Sequence, residues 1–285
     1  MSILASYVPL IQAEAERLAQ FLDTLSTDDL QRPSACDLWE IRDVAAHLIW
    51  AADFYTDSVS RGLQGDTSLP ENRPPGDTSD AVPMSTYFAQ HAIRLRQVLG
   101  DRLLPTFRTS YTALTELMAT LREQAWDTPC AFFPRYGQLP ARAFLLLTVQ
   151  ELVIHTWDMR SRFDASVALA ADLLPLLLER IPGRFGVPDF AAFPLHQEGS
   201  EPVRYRWDVT GMNPGTYDVI VEGGKARMEP ADDTMAGVTL RCDDGTFALL
   251  MYKRLTLEPA TTQGRAVVNG DQKLITALDE WLKQP

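Results

Sequence analysis

The chain has 285 residues, of which 46% are hydrophobic, and a formal net charge of −12 at pH 7. That charge opposes binding to phosphate backbones and anionic lipid surfaces, so neither nucleic acid nor membrane is expected as a partner. No uncharged apolar stretch approaches the ~20 residues that span a bilayer, the N-terminus lacks a basic segment, and Cys36, Cys130 and Cys242 are too few and too scattered for a disulfide framework or a cysteine cluster; these features predict a soluble cytoplasmic protein. A monomer or a homodimer is equally compatible with the sequence.

From Ala5 to Leu25 the apolar residues Leu10, Ile11, Ala15, Leu18, Phe21 and Leu22 recur at helical spacing. A short helical turn starts at Ser26, residues 33–37 read as a loop, and a second helix covers 39–60. Residues 62–83, rich in Gly and Pro, form a long irregular connection of the kind that often serves as a lid. A helical pattern then runs from Met84 to Glu123 with a break expected before Pro105. Pro140 opens a further helix reaching about Arg162, and the Leu-rich stretch 166–181 predicts another.

After Gly186 the character changes. Residues 187–202 have linker composition, and alternating segments at 203–209, 216–221 and 238–242 predict antiparallel strands separated by glycine turns. Short helices at 246–252 and 273–282 flank a strand near 266–268. The pattern predicts an α+β protein, with a helical bundle over 1–190 and a smaller α+β domain over 195–285.

Within the helical part, two polar groups interrupt apolar sequence: Asp43-Val-Ala-Ala-His47 and Glu151-Leu-Val-Ile-His155, the latter followed by Asp158. Residues four apart lie on one helical face, so Glu151 and His155 project together. A buried carboxylate stacked on an imidazole is costly unless it is paired or holds a cation. His47, from a second helix, would complete a His–Glu–His set, the three-ligand arrangement that leaves a metal ion an open position. Zinc is the expected ion, with nickel or iron as alternatives. Asp43 and Asp158 are candidates to support the histidines by accepting their remaining N–H, with a plain surface-charge or helix-end role as the equal alternative for each. The blander alternative is a buried hydrogen-bonded pair without metal. His91 and His196 read as structural, and each cysteine reads as a small core residue. Trp39, Trp50 and Trp157 flank the three candidate ligands and are expected to exclude water.

The run from Pro33 through Trp39-Glu-Ile-Arg-Asp43-Val-Ala-Ala-His47, together with Gln150-Glu151-Leu-Val-Ile-His155-Thr-Trp157-Asp158, resembles the mycothiol-dependent maleylpyruvate isomerase family. The C-terminal part, from Tyr205-Arg-Trp-Asp-Val-Thr-Gly211 through Gly264-Arg-Ala-Val-Val-Asn-Gly-Asp271, is similar to sterol-carrier-like domains. The resemblance spans nearly the whole chain and implies a DinB-like four-helix N-terminal domain with a metal at His47, Glu151 and His155. It further implies a catalytic or substrate-binding arginine in the C-terminal domain, for which Arg254 is the best match and Arg265 the next. The implied cofactor is a low-molecular-weight thiol such as mycothiol, and the implied partner a small electrophile. Metal coordination turns a thiol into a thiolate at neutral pH, which suits an S-transferase or isomerase. Two rival readings use the same residues: a hydrolase acting through metal-bound water, or a binding protein for an apolar ligand whose metal only stabilises the bundle.

Overall fold

The computed structural model describes residues 3–36, 38–69, 84–133, 137–193 and 201–284. They divide into two compact units, Met1–Leu173 and Leu174–Pro285.

In the first unit a 3₁₀ turn leads into α1 (Val8–Asp23), followed by α2 (Thr27–Leu30), α3 (Ile41–Leu63), α4 (Met84–Leu99), α5 (Leu103–Thr120) and α6 (Ala141–Arg160). A short antiparallel pair, β1 (Pro129–Ala131) and β2 (Gln138–Pro140), precedes α6. The stripe Ile11, Ala15, Leu18, Leu22 buries one face of α1. α3 begins at a capping box in which Asp43 accepts the backbone N–H of Glu40 at 3.0 Å. The expected break between α4 and α5 occurs at Gly100, whose φ of +53° suits glycine. Pro105 then falls in the first turn of α5, where an N–H would have no helical acceptor. The connection expected over 62–83 starts later, because α3 continues to Leu63; residues 70–83 lie outside those described.

α3 packs on α4, α5 and α6, and α1 packs on α5 and α6, so that α1, α3, α5 and α6 make a four-helix bundle with α4 laid along α3. α6 is apolar almost all round, burying Phe144, Leu145, Val149, Leu152, Val153 and Met159. A helix of that kind belongs to a core. Its few polar residues are therefore carried inward with it.

The second unit holds α7 (Leu174–Glu179), α8 (Ile181–Arg184) and α9 (Pro188–Ala191) ahead of the sheet. The single helix expected over 166–181 is thus corrected to two short ones. Pro175 and Pro182 explain the change, since each fits only the first turn of a helix. The boundary also differs from the composition shift near 190: Leu174, Leu176, Leu177 and Ile181 are buried, and α7 packs on α10, so the Leu-rich stretch joins the second unit. The sheet is formed by β3 (Val203–Thr210), β4 (Gly215–Glu222), β5 (Lys225–Pro230), β6 (Val238–Asp243) and β7 (Ala266–Gly270), in the order β5-β4-β3-β6-β7. β3 and β6 run parallel and the other pairs antiparallel. α10 (Asp244–Met251), α11 (Leu257–Thr262) and α12 (Gln272–Leu282) complete the chain. Tyr205, Trp207 and Val209 alternate inward from β3. β5 escapes the sequence pattern because it is an edge strand: Ala226 alone is buried, between exposed Lys225 and Arg227.

Candidate metal centre

α3 supplies His47 and α6 supplies Glu151 and His155. His47 and His155 are buried. His47 Nε2 stands 2.9 Å from Glu151 Oε2, and His155 Nε2 stands 3.2 Å from the same oxygen. One ligand atom from each of the three lies within 4.8 Å of the others. Three donors held about 2.1 Å from a tetrahedral cation stand roughly 3.4 Å apart, so the set is close to the spacing that a zinc-class ion requires. Two imidazole nitrogens and one carboxylate oxygen also match that ion's preference.

The charges are strongly coupled. Burial pushes Glu151 up, but hydrogen bonds from His155 and His47 and the charge on both imidazoles outweigh it and hold the carboxyl well below its usual range. Burial lowers His47, and its bond to Glu151 offsets that only in part. Burial also opposes charge on His155, yet Cys36, Asp158 and Glu151 together raise it well above the ordinary histidine value. The two carboxylates beside it therefore favour the protonated form of His155 more than that of His47.

Asp158 is fully buried and its Oδ2 accepts from His155 Nδ1 at 2.8 Å. This leaves Nε2 turned toward Glu151 and His47. Asp43 takes the helix-end role of its two alternatives: its carboxylate accepts from Arg96 Nε at 2.9 Å and from the Glu40 backbone. Sitting in the first turn of α3, it answers the helix's unpaired N–H groups and the α4 guanidinium rather than His47.

Aromatic rings close the surroundings. Trp39 lies 4.7 Å from the His47 ring and 5.6 Å from that of His155, centroid to centroid. Trp50 and Phe88 lie 5.9 and 6.0 Å from His47. His91, read from sequence as structural, has its ring 5.6 Å from Trp50, in the same wall; its spacing of three residues from Phe88 on α4 was the available signal. Trp157 does not join them. Its indole donates to the Val167 carbonyl at 3.2 Å and lines a separate cavity of about 230 Å³ with Glu14, Arg17 and Thr156.

Cys36 donates to Asp158 Oδ2 at 3.0 Å, a contact no helical periodicity could signal because the residue lies in a loop. By contrast, burial pushes the Cys130 thiol up to about 11 and that of Cys242 up to about 12, as core residues would show. Arg254 and Arg265 belong to the second compact unit, where Arg254 donates to the Tyr252 carbonyl at 3.3 Å and Arg265 to the Thr246 hydroxyl at 3.3 Å.

Residues 11–160 match the family model "Mycothiol maleylpyruvate isomerase N-terminal domain" and residues 164–277 match "MDMPI C-terminal domain". The chain belongs to this isomerase family. Among solved structures, the crystal structure of the mycothiol-dependent maleylpyruvate isomerase is similar over 89% of this chain and 90% of that one, with a TM-score of 0.60 at 14% identity. A histidine-to-alanine mutant of that isomerase gives a TM-score of 0.59 at 14% identity, with coverage of 89% and 90%. At that identity the likeness extends to the fold. A sterol carrier protein-2 like-3 from Aedes aegypti covers 39% of this chain and 97% of its own, at 16% identity and a TM-score of 0.28. No curated protein matches the sequence. Among the described residues no helix is long and apolar enough to cross a membrane.

Proposed function

We propose that this family member is a metal-dependent thiol S-transferase or isomerase, which uses a low-molecular-weight thiol such as mycothiol against a small electrophile. The observation that carries the reading is the convergence of His47, Glu151 and His155, from two helices, on a common point with His155 backed by a fully buried Asp158. His47 Nε2, Glu151 Oε2 and His155 Nε2 would hold a divalent ion, with zinc the first expectation and nickel or iron the alternatives. Bound there with three protein ligands, such an ion would favour the thiolate form of a thiol whose ordinary pKa is near ~8.5.

The chain's own residues do the rest. Asp158 keeps the Nδ1 proton of His155 in place, so that the imidazole cannot rotate away from the shared point. Trp39 covers both histidines and, with Trp50 and Phe88, limits water at the His47 side. A low-dielectric wall of this kind strengthens the attraction between a bound cation and an anionic sulfur.

Metal analysis of the purified protein, followed by cobalt substitution and titration with mycothiol, bacillithiol and glutathione, tests the proposal. One of these thiols should change the cobalt spectrum and be required for turnover. Turnover without any thiol would favour a hydrolase, and an unchanged spectrum with all three would remove the S-transferase reading.

A further inference from the structure

We propose that Cys36 is a positioning residue of this centre, acting through Asp158 to fix the nitrogen that His155 presents. The inference rests on the metal reading above. Asp158 is fully buried, so its charge depends on protein donors rather than water. Its Oδ2 receives both the Cys36 S–H at 3.0 Å and His155 Nδ1 at 2.8 Å, and the sulfur lies 3.7 Å from Nδ1 itself. Thiol, carboxylate and imidazole thus form one chain that ends on the nitrogen facing Glu151.

The loop before α3 is built to hold the sulfur there. Pro33 bridges to Glu40, and the Ser34 N–H donates to the Trp39 carbonyl at 2.9 Å. Ser34 Oγ accepts the Cys36 N–H at 3.0 Å. Next to it, the Ala35 N–H donates to the backbone carbonyl of Asp158 at 2.9 Å. Loop and α6 are therefore joined twice at Asp158, once through its carbonyl and once through its carboxylate. The same loop carries Trp39 onto both histidines. An S–H on the shared oxygen restrains the carboxylate plane. It also keeps Asp158 from turning to take another donor and releasing the imidazole.

The test compares Cys36→Ala, which removes the donor, with Cys36→Ser, which keeps one of similar size. Zinc affinity is read by competition with a chromogenic chelator, and geometry by the visible bands of the cobalt form. Loss of a group that orients a metal ligand typically lowers affinity about 10- to 100-fold. Cys36→Ala should fall in that range with shifted cobalt bands, and Cys36→Ser should stay within a few-fold of the parent. Equal affinity and equal spectra for Cys36→Ala and the parent would overturn the inference. So would a Cys36→Ser variant as weak as Cys36→Ala, or a second zinc per chain that Cys36→Ala abolishes, which would make Cys36, His155 and Asp158 a cation site of their own. If Cys36→Ala does not fold, a drop of tenfold or more in Cys36→Ser decides against the proposal. Failure of the parent to bind zinc or cobalt would instead remove the underlying metal reading, and is told apart because it appears before any substitution is made.

Discussion

Asp158 in the first unit and Asp218 in the second are both completely buried, and they neutralise their charge in different ways. Asp218 sits opposite Arg206 in the β3–β4 ladder and takes its Nε and Nη2 at 2.9 Å, with Arg204 Nη1 at 3.0 Å. Guanidiniums stay charged at every accessible pH, so this is a fixed clasp between two strands. Asp158 instead faces an imidazole and a thiol, groups that can lose a proton. The first arrangement holds a sheet together. Under the proposed function the second would exchange a proton for a cation, held by the histidine cluster in front of it.

The comparison can be broken most sharply at Glu151. Glu151→Ala removes one of three donors and should cut zinc affinity more than about 100-fold, since a structural zinc site shares some 10–16 kcal/mol among its ligands; calorimetric titration reads the loss. Asp218→Ala should leave zinc affinity unchanged while lowering urea-unfolding stability by about 3 kcal/mol, because two guanidiniums lose their acid.

Titration separates the two aspartates further. In the cation-free protein His155 is raised above its unfolded value, so its stabilisation is complete below pH ~6.5 and fades as pH climbs through the folded value. A cation must displace that proton, hence zinc affinity should increase from pH 6 upward; a flat profile would contradict the assignment. Asp218 is lowered: burial works against its charge, but the bonds from Arg206 and Arg204 prevail. Its contribution is present above pH ~3.9 and disappears on acidification. Differential scanning calorimetry across pH 3 to 9 should resolve these opposite trends. The smallest effect expected is that of Asp43→Asn, a loss of about 1 kcal/mol in unfolding free energy from a weakened cap and Arg96 pair, with zinc affinity intact.

Much of this was readable in the sequence. The Glu151–His155 spacing and the apolar run around it fix both the helix and its inward polar face, since residues four apart share a face whatever the tertiary context. The convergence with His47 was an expectation from similar local sequence, not from any period linking residues a hundred positions apart. The part played by Cys36 was hidden for the opposite reason: a loop has no repeat, and the contact joins residues 122 apart. Spacing alone leaves Asp43 open between partner of His47 and helix-end group, and its position in the first turn of α3 with the guanidinium of Arg96 gives it the second role. β5 was invisible because an edge strand buries little, and the short helices α7 and α8 because leucine content outweighed two prolines.

The most direct measurement is the zinc stoichiometry and affinity of the purified full chain beside His47→Ala, Glu151→Ala and His155→Ala, each checked for folding by circular dichroism. One zinc per parent chain, weakened by at least two orders of magnitude in every variant, is the predicted result. A folded parent that retains no divalent ion after reconstitution, or variants that bind as tightly as the parent, would contradict a cation centre on α3 and α6.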